Sequence, residues 1–384
     1  MLSGTGTDGT LGLKAIKGLT GMTMAQEPDS AKYSGMPSSA IATGLVDYVL
    51  PVERLPQRLI AYTHGPYLAA IEMEASEEGL SEPMQKILVL LRARTGHDFS
   101  TYKTNTIRRR IERRINVPQL PGPLQYQRLL QENPHELDLL FRELLIGVTN
   151  FFRDAEAFNT LAKTVVPKML AARADNAPVR VWVAGCSSGE EAYSLAMLLQ
   201  EGMDKLKQRF PVQIFGTDLD SEAIDAARLG LYPEGIARDV RPQRLTRFFN
   251  KEDGGYRIKK EIREMVIFAP QNVLKDPPFT KLDLVTCRNL LIYFKPAAQE
   301  RLLSPFHYAL KPDGMLFLGT SESITGLSDH FTVMNKKWKI FAARTPGRAT
   351  PCPLNSPRCP PDPRRVPPAP TKWWSAPASN CSRR

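Results

Sequence analysis

Cysteine is scarce and unordered in this chain of 384 residues. Its five cysteines keep no zinc-ligand spacing and no pairing framework, which removes a metal finger or a disulfide-stapled scaffold. Cys186 and Cys287 stand in apolar surroundings and read as buried neutral thiols rather than nucleophiles, while Cys352, Cys359 and Cys381 fall in a tail where no role is expected. No apolar run approaches the roughly 20 residues of a membrane span, so insertion into a bilayer is not expected. The opening stretch MLSGTGTDGTLGLKAIKGL lacks the charged-then-apolar order of a secretory leader, and the expected location is cytoplasmic. Internal repeats are missing as well.

Positive charge, by contrast, is in excess: 51 Lys/Arg face 40 Asp/Glu, a net of +11. From Pro346 onward there are seven Lys/Arg and one Asp, a net of +6, which leaves +5 for the rest. That balance suits an acidic partner without requiring nucleic acid.

Four zones follow along the chain. Residues 1–70 carry short strand, turn and helix patterns, too few strands for a complete parallel sheet. A polar acidic connector occupies 71–85. Residues 86–155 have helical periodicity, with Ile107, Ile111 and Ile115 spaced by four. Residues 156–345 alternate strand and helix patterns, which predicts a doubly wound, mostly parallel α/β sheet with helices on both faces. Within it, RFFNKEDGGYRIKKEIREMV reads as a hairpin turning at Asp253-Gly254-Gly255, a small β-subdomain at about 245–268. Residues 346–384 are proline-rich and aperiodic, and are expected to be disordered; Trp373 and Trp374 there read as chance.

The stretch VWVAGCSSGEEAYSLAM, 181–197, predicts a strand, a turn bracketed by Gly185 and Gly189, and a helix. This turn does not carry the dinucleotide fingerprint G-x-G-x-x-G. Glu190 and Glu191 in the first helical turn favour the helix dipole but would repel a pyrophosphate. The second strand ends in IFGTDLD, which places Asp218 to grip the hydroxyls of a ribose. A nucleoside ligand without phosphates and with a positive charge is indicated, and S-adenosylmethionine meets all three conditions. Singly, Glu190 and Asp218 read equally well as caps.

Five separated stretches then resemble the CheR family of chemotaxis receptor glutamate methyltransferases: VTNFFRD (148–154), AGCSSGEEAYSLAM (184–197), GTDLD (216–220), APQNVL (269–274) and CRNLLIYF (287–294). The likeness runs in order from about Lys86 to Arg344. It implies a class I S-adenosylmethionine-dependent methyltransferase fold behind a small all-helical domain, and methyl transfer to receptor glutamates as γ-methyl esters. Carried over residue by residue, it implies cofactor contacts from Thr149, Arg153, Glu191, Asp218, Asn272, Val273, Arg288 and Asn289. Tyr293 matches the tyrosine facing the transferred methyl, with a core aromatic role as its bland alternative. Arg153 is also the candidate for orienting the acceptor carboxylate. Gly147 stands where many members have Asn.

The run TIRRRIERRI supplies Arg108, Arg109, Arg110, Arg113 and Arg114. The isoleucines take one face, so the arginines are expected on another, either as a solvated face or, given the resemblance, as a surface for acidic cytoplasmic helices of chemoreceptors. The β-subdomain sits where some family members grip a receptor tail.

The N-terminal stretches LSGTGTDGTLGLKAIK and MAQEPDSAKYSGMPSSAI resemble the end of a CheB-type methylesterase, as in a CheB–CheR fusion, and Asp8 matches its triad Asp. Without a triad Ser and His, for which His64 is no substitute, esterase activity is not expected. Two rival readings stand. DPPF at 276–279 matches the turn of amino-group DNA methyltransferases, although it precedes rather than follows the strand LDLVTC. A non-catalytic scaffold is the other.

Overall fold

A computed structural model describes residues 1–18, 21–63, 80–145, 147–171, 177–324 and 326–344. Most of the connector, His64 and the proline-rich tail with its tryptophans lie outside the described residues. The strands are β1 (Met24–Gln26), β2 (Tyr48–Leu50), β3 (Val179–Ala184), β4 (Val212–Asp218), β5 (Leu231–Pro233), β6 (Phe249–Glu252), β7 (Gly255–Ile258), β8 (Val266–Pro270), β9 (Leu282–Cys287), β10 (Leu310–Leu318), β11 (Phe331–Asn335) and β12 (Ile340–Ala343).

Seven of them form the main sheet, in the order β11-β12-β10-β9-β3-β4-β8. The β10–β9–β3–β4–β8 pairs are parallel, and β12 is antiparallel to both β10 and β11. Successive residues of β3 point to opposite faces. Val181 and Val183 enter a core with Phe158 and Leu195, while Trp182 and Ala184 enter a second core with Leu302 and Phe306. Both faces are covered, which is why VRVWVA is apolar almost throughout. The direction of winding reverses at β3, which has β4 on one side and β9 on the other. Their carboxyl ends lie level, since Ala184 pairs with Thr217 and Val183 with Thr286. A crevice opens at such a switch point.

The helices Glu82–Thr95, Thr104–Asn116, Pro123–Glu132 and Pro134–Leu144 form the helical layer. Ile107, Ile111 and Ile115 are buried as their spacing requires, each side chain contributing about 1.5–3 kcal/mol of burial. This layer shares the second core of the sheet. Tyr102 bridges to Phe294, with ring centroids 4.6 Å apart.

Three boundaries differ from the sequence expectation. The small sheet has three strands, ordered β5-β7-β6, so the subdomain starts at Leu231 rather than near 245. It also ends before 268, because Val266–Pro270 is the edge strand β8 of the main sheet, its backbone pairing in parallel with β4. The helical layer begins at Glu82 rather than at 86, where Ser81 precedes a Pro in the first turn.

The N-terminal piece has one parallel pair, β1 with β2, and a buried trio, Leu13, Ala25 and Ala40. So small a core is marginal alone. The piece packs within the same compact unit as the rest of Met1–Arg344. Among the described residues no helix is long and apolar enough to cross a membrane, and no group of His, Cys, Asp and Glu could hold a metal ion.

Candidate functional site

The crevice beyond β3 and β9 is a cleft of about 940 Å3, including its solvent-open mouth. It forms because the chain turns sharply after β3. Gly185 and Gly189 have φ of +75° and +91°, angles that side chains rarely adopt. A Cβ on Gly189 would also stand 2.8 Å from the Ala227 Cβ. The turn brings Ser187 back over β4, where its N–H donates to Asp218 Oδ2 at 2.8 Å; the Asp220 N–H donates to Oδ1 at 3.0 Å. Each carboxylate oxygen keeps capacity toward the cleft. Burial nevertheless pushes the Asp218 carboxyl up from its ordinary range.

The two acids of the turn part company. Glu190 is buried, accepts from Ser188 Oγ at 2.7 Å and does not line the cleft; burial raises its carboxyl. Only Glu191 faces inward. It accepts from Thr286 Oγ1 at 2.7 Å and from Arg288 Nη1 at 3.2 Å. The expectation of a doubly negative helix entrance is therefore corrected: one acid is withdrawn into the core, and the other is matched by a cation at the end of β9.

Arg288 also donates to Asp154 Oδ2 at 2.7 Å and to the Arg153 carbonyl at 3.0 Å. Its guanidinium lies 4.7 Å from the Phe317 ring centre. It thereby ties the segment before the Ala155–Ala171 helix to the sheet. From that segment Arg153 enters the cleft wall, its Nη1 donating to the Val148 carbonyl at 2.9 Å.

All the sequence-derived candidates for the cofactor and the reaction line this one cleft: Thr149, Arg153, Glu191, Asp218, Asn272, Val273, Arg288, Asn289 and Tyr293. Tyr293 is partly buried, and burial raises its phenol, which stays protonated as a donor. The Asn272 side chain is engaged internally, by the Leu274 N–H at 3.0 Å and by His97 Nδ1 at 3.0 Å.

His97 and Tyr102 were not anticipated. The Asn272 amide donates to His97 Nδ1, so Nε2 carries the proton and reaches Tyr102 Oη at 3.2 Å. Burial pushes the imidazole down to about 4. Nothing in GHDFS distinguishes this histidine, because its partner lies 175 residues away. Gln271 was missed too. Its Oε1, like Asn289 Oδ1, is buried without a hydrogen-bond partner in a residue that lines the cleft. Orphaned buried acceptors suit a ligand that brings N–H or O–H donors.

Three arginines depart from expectation. Arg110, Arg113 and Arg114 are buried, not presented to a partner. Arg110 and Arg113 pair with Glu143 at 3.1 and 2.5 Å, Arg113 also with Asp47, and Arg114 with Glu136 at 2.6 Å. Carboxylates from neighbouring elements turn this face of the Thr104–Asn116 helix inward, which periodicity of the isoleucines alone does not reveal. Arg109 is exposed and Arg108 half-buried. Asp8 is exposed and paired with Arg238. In the DPPF turn, Phe279 stacks on Phe215 at 4.3 Å and meets Trp182 at 5.4 Å, so its ring packs the sheet and does not line the cleft.

Residues 147–340 match the family described as CheR methyltransferase, SAM binding domain. The chain belongs to the CheR methyltransferase family. Residues 82–145 match the CheR all-alpha domain, and residues 1–59 match the CheB methylesterase family. An uncharacterized 104.1 kDa protein of Rhodobacter capsulatus is 40% identical over 370 residues, covering 91% of this chain and 39% of that one. The chain thus spans about two fifths of that relative's length. The chemotaxis protein methyltransferase of Escherichia coli is 34% identical over 260 residues, covering 65% of this chain and 87% of that one. Among solved structures, a magnesium protoporphyrin IX methyltransferase from Synechocystis with bound SAM has a TM-score of 0.28 and 15% identity, covering 50% of this chain and 81% of that one. A score that low carries no argument. The CheR domain accounts for the cleft: S-adenosylmethionine is the cofactor, and its amine and hydroxyl donors suit the acceptors found there.

Proposed function

We propose that this chain transfers methyl groups from S-adenosylmethionine to glutamate side chains of chemoreceptors, forming methyl esters. The carrying observation is the convergence of Glu191, Asp218, Arg153 and Tyr293 on one cleft at the switch point of a CheR sheet. When bound, S-adenosylmethionine supplies a methyl group already activated by its sulfonium.

The residues then divide the work by chemistry. Asp218 accepts from the ribose hydroxyls, and Asn272 with Val273 shapes the wall for the base. Thr149 and Asn289 bound the amino-acid end, together with Glu191 held by Arg288. Arg153 orients the incoming carboxylate, and the Tyr293 phenol donates beside it. A glutamate with a pKa of about 4.3 is ionised at neutral pH, so no group is needed to remove a proton. Rate enhancement comes from alignment and exclusion of water, worth on the order of 7–11 kcal/mol when alignment is good. The exposed Arg109 and half-buried Arg108 form the receptor-facing part of the basic helix, steering acidic receptor helices. Asp8 is exposed and paired with Arg238, an arrangement that does not suit a triad carboxylate, and residues 1–59 are not expected to act as an esterase by themselves.

The test is incubation with tritiated S-adenosylmethionine and chemoreceptor-containing membranes. Base-labile label on the receptor is expected. Label on DNA, or none, would reject the proposal.

A further inference from the structure

The esterase-like piece leaves an unanswered question: what does it do beside a transferase? Its Thr10–Gly18 helix meets the stretch that leads into the cleft at two residues, Glu143 and Val148. Near its end, Lys17 pairs with Glu143 at 3.1 Å and with Asp47 at 2.7 Å. Asp47 pairs in turn with Arg113, which is 1% exposed and also donates to the Gly21 carbonyl at 3.1 Å. Gly18 lies so close to Val148 that a methyl group on it would stand 3.4 Å from that side chain. Val148 itself lines the cleft and accepts from Arg153. Farther back, the charge of Lys14 acts on the carboxyls of Glu190 and Asp239.

The ion network spans both pieces of the chain, the N-terminal one contributing a cation, Lys17, and a carboxylate, Asp47. Glu143 faces three cations, Lys17, Arg110 and Arg113, and Asp47 supplies the second anion. Both carboxylates are almost fully buried. Burial alone would raise them, but the surrounding cations outweigh it and hold both below the usual range. A buried ion network of this kind has few alternative arrangements once formed, because stripping one partner leaves an uncompensated charge.

We propose that the Thr10–Gly18 helix is a positioning strut for residues 143–145 and 147–153, holding Thr149 and Arg153 against the cleft through Lys17 and Asp47. In this arrangement the esterase-like piece supports the transferase site. Lys17 and Asp47 do not line the cleft; they act through Glu143, Arg113 and Val148. The affinity half of the test rests on the reading of the cleft as a methyl-donor site, and the exchange half does not.

The full chain is compared with Lys17→Met, Lys17→Arg and Asp47→Asn, at a temperature where circular dichroism shows each folded. Hydrogen–deuterium exchange is read at residues 147–153, and S-adenosylmethionine affinity by calorimetry. Lys17→Met and Asp47→Asn are expected to speed exchange there and weaken binding about fivefold, within the range for coupling through a packed network, while Lys17→Arg restores both. Unchanged exchange, faster exchange with unchanged affinity, or a Lys17→Arg variant as impaired as Lys17→Met overturns the strut. If the unaltered chain binds no S-adenosylmethionine, the reading of the cleft fails, and exchange alone then decides the strut.

Discussion

Arg288 Nη1 stands 3.2 Å from Glu191 Oε2, joining the end of β9 to the first turn of the helix after β3. The same guanidinium holds Asp154, so one buried cation fixes both the acid that faces the cleft and the segment that brings Arg153. Replacing Arg288 by Met strips both carboxylates of their cation, leaving Glu191 only the Thr286 hydroxyl among its named partners. Urea unfolding should show a loss of about 3 kcal/mol, as for breaking a buried pair, and binding of S-adenosylmethionine should fall with it. A midpoint within error of the unaltered chain would show that the pair is not structural.

The arginines of the Thr104–Asn116 helix should separate by burial. Arg113→Ala leaves Asp47 and Glu143 short of a cation and should destabilise by about 3–5 kcal/mol. Arg109→Ala, at an exposed position, should leave stability within about 0.5 kcal/mol. It should still slow receptor methylation, with a deficit that shrinks as salt rises. Methylation kinetics at two ionic strengths decide this; an Arg109→Ala variant as fast as the unaltered chain removes Arg109 from the receptor surface.

His97 sets a pH dependence. Its folded value of about 4 lies below the usual 6.5, because burial disfavours the imidazolium; Lys275 adds to this and Asp98 opposes it. Between those values the unfolded chain binds the proton and the folded chain does not, so this residue makes stability fall as pH drops from about 6.5 to about 4. The full effect is up to roughly 3 kcal/mol. His97→Gln keeps an amide for Asn272 but cannot titrate. The difference in stability between the two chains should therefore change across that window, and a constant difference from pH 7 to pH 4 would refute the assignment.

Much of the site was legible because chain order and strand ends determine it. VRVWVAG and IFGTDLD announce parallel strands by their apolar runs, and a topology that reverses at β3 places Asp218, Glu191 and Arg288 around one crevice. What was hidden depends on partners distant in sequence. Glu190 and Glu191 are equivalent as letters, and only packing decides which is withdrawn. Arg113 reads as a surface charge until Asp47, 66 residues earlier, is seen beside it. His97 is likewise defined by Asn272. The start of the β-subdomain was missed because Leu231–Pro233 is too short to register as a strand.

Esterase chemistry should be absent. Asp8 reaches solvent and is met by Arg238. Asp8→Ala should change stability by no more than about 0.5 kcal/mol, as exposed pairs do. Neither it nor the unaltered chain should release methanol from methylated receptor; release by the unaltered chain that Asp8→Ala abolishes would contradict the account.

The central claim is that Asp218 anchors a methyl donor in the cleft beyond β3. Calorimetric titration of S-adenosylmethionine into the full chain and into Asp218→Asn measures it directly. One site per chain is expected, with affinity about 10- to 100-fold weaker in the variant, the scale of losing a charged acceptor. Absence of binding, or equal affinity in both chains, would contradict it.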